Sequence, residues 1–454
     1  MHQNSRSILR RARVHRALSA LAACVIFALP IAQTAAQTSA HTTGKAGSAV
    51  PALSIAGASG APLRLKELFD AAWQRQPEAL SLASRMEAAD SRRQAAQSWT
   101  LEPAALELAA KTDRLNRNLG AREYELGVGI PLWLPGERTR TGALADAEAR
   151  GIDTRVAAAK LRVAASIREA YWTWERARIE NYLARDRLIA SQALAADVAS
   201  RVKAGYLARA DQHQADGAAA TAEGAVAESA NALVMAVQQL RALTGKAPSP
   251  PTDQGAPGQH LPASESAPEF AAKLTKAELS HPAVADWVAQ AEVARQAIAL
   301  ARVQSRANPE LRLSAISDRG AFGDATQQSL NVGVRIPFGS DSRHRGKVAA
   351  ASAHAIEIEG QLHLERERVL AQLEAARQRV EFARAQAYIA GKRDRLARET
   401  RSFFQQSFRL GESDLPSLLR VNLEAAEAAR QAARALIDYA TAVSALRQAL
   451  GLLP

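Results

Sequence analysis

Two short alternating segments, residues 122–133 and 328–338, constrain this chain most. In the first, Tyr124, Leu126, Val128, Ile130 and Leu132 fall on one side; Glu123, Glu125, Gly127 and Gly129 fall on the other. In the second, Leu330, Val332, Val334, Ile336 and Phe338 oppose Asn331, Gly333 and Arg335. Period-two alternation is the pattern of a strand with two unlike faces. Both segments contain Ile-Pro near their ends, and proline cannot continue a ladder. Another alternating run precedes each. Leu106, Leu108 and Ala110 alternate with Glu107 and Lys111; Leu311, Leu313 and Ala315 alternate with Arg312 and Ser314. The pattern predicts two hairpins, with strands at about 104–112 and 122–133, then at about 310–318 and 328–338.

The hairpins belong to a duplication. Pro131 and Pro337 lie 206 positions apart, and so do Gly205 and Gly411, Gly245 and Gly451, and Pro103 and Pro309. Each copy reads helix, hairpin, long helix, return helix. The copies span 63–245 and 268–454, joined by a Pro/Gly/Ser-rich linker at 246–267. The long helices, 137–203 and 343–409, contain no proline. At 1.5 Å per residue each is roughly 100 Å long. Such helices cannot form the core of a globule and must pack side by side along their length. Aromatic residues make up only 5% of the 454, which suits close-packed helices. The expected fold class is mainly α with a small β part.

The N-terminus has a basic start, an apolar run over 17–31 and small residues after it. This is the form of a secretory signal, placed at 1–36, with a flexible lead-in at 37–62. Cys24 is the only cysteine, so no intramolecular disulfide forms. Leu21-Ala-Ala-Cys24 has the form of a lipidation site, and the alternative is a cysteine lost with the signal. Of the net charge of +12, Arg6, Arg10, Arg11, Arg13 and Arg16 lie in that leader. The remaining charges are dispersed, so there is no basic face for nucleic acid. No later run approaches the ~20 apolar residues of a membrane helix. The strands do match the ~9–11 residues that cross a bilayer when tilted. A membrane sheet must close, because lipid satisfies no free edge. The smallest usual barrel has about eight strands, so four imply that several copies pool their hairpins.

The element order, given twice, resembles the TolC family of outer-membrane efflux ducts over nearly everything after residue 62. So do the strand ending Ile-Pro-Leu-Trp-Leu-Pro-Gly-Glu-Arg138 and the closing Leu-Arg-Ala-Leu-Thr-Gly245 and Leu-Arg-Gln-Ala-Leu-Gly451. The turn before Arg138 resembles the CzcC-like heavy-metal branch. The resemblance implies a homotrimer with a 12-stranded barrel in outer-membrane lipid and an α-helical barrel through the periplasm. It implies two further partners, a periplasmic adaptor (membrane fusion) protein and an inner-membrane RND-type pump. Such a duct is passive and exports heavy-metal cations, or drugs or type I secretion cargo. It is no enzyme and needs no cofactor. The rival from another class is a soluble periplasmic coiled-coil scaffold.

In such ducts the glycine turns at the far helix ends form the tip, with gate and adaptor contact. Here the turns hold Gly205, Tyr206 and Leu207, then Gly411 and Glu412. The family often places an acid six positions past the glycine. Asp211 matches, Ser417 fills the second slot, Arg420 stands three further on, and Asp414 offers a carboxylate from another angle. Carboxylate rings in a pore favour cations; the alternative is that Asp211 and Asp414 cap helices. Glu123, Glu125, Arg312 and Arg335 are expected on the barrel lumen, and Tyr124, Trp133 and Phe338 at the membrane interface. His354 and Glu357 can share a helix face, but two ligands make no metal site. The chain has no phosphate loop, nucleophile elbow or Cys-x-x-Cys, so no catalytic set is expected.

Overall fold

The computed structural model describes residues 65–115, 118–246, 265, 281–339 and 341–454. The expected signal with Cys24, the lead-in and nearly all of the linker lie outside the described residues. The first repeat holds α1 (Leu65–Trp73), α2 (Pro77–Leu80), α3 (Leu82–Gln97), β1 (Ala105–Thr112), β2 (Arg122–Pro131), α4 (Glu137–Lys203) and α5 (Arg209–Thr244). The second holds α6 (Pro282–Val303), β3 (Glu310–Arg319), β4 (Gln327–Arg335), α7 (Asp341–Leu410) and α8 (Leu415–Ala449).

The sequence predicts one helix from about residue 65 to 99, interrupted near Pro77; the structure breaks it into three. Gln76 is extended at φ −73°, ψ 139°, as a residue before proline must be. The chain then restarts with Pro77 in the first turn, where a missing N–H costs nothing. The second strands are shorter than the alternation suggests. β2 stops at Pro131, and β4 stops at Arg335, ahead of Pro337, because proline offers no donor to the ladder.

α4 and α7 have 67 and 70 residues. α4 packs along α5 and against α6 and α8, and α7 packs along α8 and against α6. The main core lies around the middle of α4. Leu65, Leu68, Phe69 and Ala72 of α1 meet Ala164, Ile167, Tyr171 and Trp174 of α4. Ala236 and Leu240 of α5, with Ile437 and Ala440 of α8, complete it. Burying each large apolar side chain contributes about 1.5–3 kcal/mol. Tyr171 and Trp172 meet edge to face with centroids 5.0 Å apart. Burial, then Glu175, holds the Tyr171 phenol above its ordinary range.

Glu265, the one described residue between 247 and 280, is held by several donors. Glu265 accepts from Arg168 Nη2 at 2.7 Å and Nε at 3.2 Å, and from Arg447 Nε at 3.0 Å. Arg168 also donates to the Leu452 carbonyl at 3.1 Å. The Arg168 and Glu265 side chains are nearly buried. Removing Glu265 would leave the buried Arg168 charge with neutral partners only, which costs about 3–5 kcal/mol. One contact set thus ties Glu265, α4 and the C-terminus together.

Candidate channel wall, junction and tip

The four strands form one antiparallel sheet in the order β1-β2-β3-β4. The hairpins are joined through β2 and β3, with Leu126 opposite Ala315 and Val128 opposite Leu313. That register puts every apolar set on one face: Leu106 and Leu108, Tyr124 to Ile130, Leu311 and Leu313, Leu330 to Val334. Among the described residues nothing covers this face; Leu330 is 84% exposed and Val332 73%. β1 and β4 each pair on one side only, so both outer edges carry unpaired backbone groups.

The other face is charged. Glu123, Glu125, Arg312 and Arg335 all lie on it, joined by Glu107, Lys111, Glu310 and Asp318. Arg312 bridges Glu107 at 3.2 Å and Glu310 at 3.4 Å, and Arg335 reaches Glu310 at 3.9 Å. Lys111 pairs with Glu123 at 3.2 Å. A Cβ at Gly129 would lie 2.5 Å from Glu310 Oε1, so a larger residue there would push the Glu310 carboxylate aside. Glu310 was missed from sequence because it begins its strand, where alternation has no preceding turn of the pattern to confirm it.

Of the expected interface residues, Tyr124 sits on the apolar face towards the outer hairpin end, 57% exposed. Phe338 is exposed just beyond β4. Trp133 is half-buried, and its indole N–H donates to the Ser98 carbonyl at 3.2 Å. That bond ties the strand end to the chain after α3.

The junction between sheet and helices turns on Glu137, which is 1% exposed. Its carboxylate accepts from the Leu134 N–H at 3.0 Å, Gln304 Nε2 at 2.6 Å and Asn308 Nδ2 at 2.5 Å. The Glu137 N–H donates back to the Leu134 carbonyl at 3.0 Å. Asn308 also donates to the Leu132 carbonyl at 3.1 Å. One carboxylate therefore joins the β2–α4 turn to the α6–β3 turn. No Lys or Arg pairs with it among the described residues.

At the far end, Gly205 and Gly411 have φ of +82° and +79°. The left-handed conformation costs a residue with a Cβ about 1–2 kcal/mol. Gly205→Val and Gly411→Val should each loosen the tip by roughly that much. Proteolysis at the turns should accelerate several-fold, and unchanged cleavage would count against the strain. The two tips are bound together. Val198, Ala215, Phe408, Leu415 and Leu418 share a small core. Arg201 lies over the Phe408 ring at 4.9 Å and donates to its carbonyl at 3.2 Å.

Tyr206 is 82% exposed and Leu207 half-buried. Asp211 accepts from the Ala208 N–H at 3.0 Å, so this carboxylate closes the start of α5. Asp414 stands at the start of α8 but makes no side-chain cap bond, and it is exposed, as are Glu412 and Arg420. Ser417 is half-buried. Among the described residues, no three His, Cys, Asp or Glu side chains come together as a metal site. No helix there is long and apolar enough to cross a membrane.

No protein-family model matches the sequence, and no curated protein does. Solved structures do. The chain is similar to CusC, reported with conformational changes accompanying folding and transmembrane channel formation. The identity is 14% and the TM-score 0.71, over 86% of this chain and 92% of that one. It is similar to the outer membrane protein VceC of Vibrio cholerae, at 16% identity and TM-score 0.66, over 85% and 96% of the two chains. It is also similar to the open-state MtrE outer membrane channel of Neisseria gonorrhoeae, at 17% and 0.65, over 86% and 89%. The fold is therefore that of outer-membrane channels. More particularly it is the TolC-type fold, a mainly helical chain that contributes four strands.

Proposed function

We propose that this chain is the outer-membrane duct of a tripartite efflux system, a passive trimer that carries substrate out of the cell. The observation that carries the reading is the sheet. It has one bare apolar face, one charged face and two open edges, at the end of helices roughly 100 Å long. Only a closed barrel satisfies those edges in lipid. Three copies would give twelve strands. The charged face would then line a water-filled lumen, and the helices would extend the duct into the periplasm. The tip around Tyr206, Leu207, Glu412 and Asp414 would meet a periplasmic adaptor and open on docking with an inner-membrane RND-type pump.

Heavy-metal cations are the cargo favoured here over drugs or secreted protein. The turn preceding Arg138 supports this. So does the lumen-side excess of Glu107, Glu123, Glu125, Glu310 and Asp318 over Lys111, Arg312 and Arg335. Deleting the gene in a strain that keeps its pump should lower tolerance to divalent heavy metals several-fold, with drug tolerance unchanged. Loss of drug tolerance alone would reassign the cargo. Release of the protein from washed membranes without detergent would instead support a periplasmic scaffold.

A further inference from the structure

The trimer proposed above needs helix faces that meet. We infer that α7 of one copy seats a row of large apolar residues in a row of small residues on α5 of the next, and that this seam sets the register of assembly. The inference rests on the three-copy reading.

The large row is Phe382, Ile389, Leu396, Phe403 and Leu410, each seven residues after the last. Seven-residue spacing keeps them in line along a supercoiled helix. Every one is more than half exposed. A different face of α7, with Leu373, Ala376, Val380 and Ala383, packs on α8. The exposed row therefore has no use within the chain, and a contiguous bare apolar strip marks an interface.

α5 carries the counterpart. Gly217, Ala220, Gly224 and Ala227 recur at heptad spacing and are exposed, while Ala215, Ala222 and Ala236 turn the buried face inwards. A Cβ built on Gly217 or Gly224 meets nothing within 4 Å. Large side chains entering such hollows is knobs-into-holes packing.

The heights agree. Leu396 precedes the Gly411 turn by 15 residues, and Ala220 follows the Gly205 turn by 15. Ile389 and Ala227 both lie 22 residues from their turns, and Phe382 and Val234 both 29. The turns are level, because Arg201 donates across them to Phe408. Copies related by rotation about the duct axis keep their heights, so these pairs face each other. The sheet orders the copies the same way. β4 leads into α7, and β1 opens the hairpin before α4 and α5. Joining β4 of one copy to β1 of the next therefore brings α7 beside the neighbour's α5.

Charge is complementary as well. Between residues 210 and 234, α5 has Asp211, Asp216, Glu223 and Glu228 and neither Lys nor Arg. Beside the stretch of the large row from Ile389 to Phe403, α7 has Lys392 and Arg395 against one carboxylate, Glu399. Among the described residues no ion pair engages Asp216, Glu223, Glu228, Lys392 or Arg395. Opposite patches steer and orient association.

The test is oxidative cross-linking of the full chain in membranes, carrying Leu396→Cys with Ala220→Cys. Covalent dimers and trimers, reversed by thiol, are expected from the pair and absent from either single variant. The pair Leu396→Cys with Asn231→Cys, offset by about 16 Å along the helices, should give at least ~10-fold less. Gly224→Leu, which fills a hollow, should cut trimer yield by a similar factor at unchanged helix content. Trimers by mass that lack the cross-link, or that tolerate Gly224→Leu, would overturn the seam and leave the three-copy reading standing. Monomers in both variants and parent would sink that reading itself.

Discussion

Val332→Arg should abolish stable membrane insertion. Val332 lies mid-strand on the bare apolar face, opposite Leu313, with 73% of its surface free. Its neighbours on that face, Leu330 and Val334, are exposed too. An arginine on the lipid face of a barrel near the midplane costs about 2–4 kcal/mol, so three copies carry roughly 6–12 kcal/mol. That is comparable with the whole stability of a typical domain, about 5–15 kcal/mol. Asn331→Arg is the matched control. Asn331 is the adjacent residue, pairs with Ser314 and faces the charged side. Its arginine should be tolerated. The measurement is the fraction that resists alkaline extraction and runs as a heat-modifiable oligomer. If Val332→Arg inserted as well as Asn331→Arg, the two faces would be assigned wrongly and the barrel reading with them.

Glu137→Ala should destabilise the junction by about 3–5 kcal/mol, because several buried donors lose one acceptor and each orphan costs about 1–3 kcal/mol. The Leu134 N–H is the least able to recover, since it belongs to the turn itself. Gln304 and Asn308 are side-chain amides and can swing towards water. Glu137→Gln keeps the shape but aims an NH2 group where donors converge, so an intermediate loss of about 1–3 kcal/mol is expected. Thermal unfolding followed by circular dichroism gives the totals, and amide exchange at Leu134 localises them. A Glu137→Ala protein with parental melting and a protected Leu134 amide would contradict this role.

The two halves of that junction show how far local patterns reach. The turn holding Glu137 stood out as a string of residues, yet its partners Gln304 and Asn308 lie 167 and 171 positions away. Nothing local in the chain marks them. Asp211 behaves oppositely: its cap bond spans three residues, so the spacing was enough to propose it. Asp414 stands at the N-cap position itself, where aspartate is a favoured cap, and makes no such bond. A helix start permits a cap without compelling one, because an exposed backbone N–H can bond water instead. Arg168 and Glu265 lie further still from legibility. A charged pair in sequence looks like surface, and only the packing of α4 against the C-terminus puts it out of water.

The sequence by itself marked the two-faced hairpins, the long helices and the glycine turns, and the recurrence of proline and glycine at 206 positions suggested a duplication. The hairpins, helices and turns are properties of residues within a few positions of one another, where backbone geometry dictates which side chains share a face. The join of β2 to β3, the charge ladder across Glu107, Arg312, Glu310 and Arg335, and the levelling of the two tips came only from the folded chain. They depend on contacts between segments some two hundred residues apart. Many registers satisfy the local pattern of such segments equally well, and packing selects the one that buries the cores and pairs the charges.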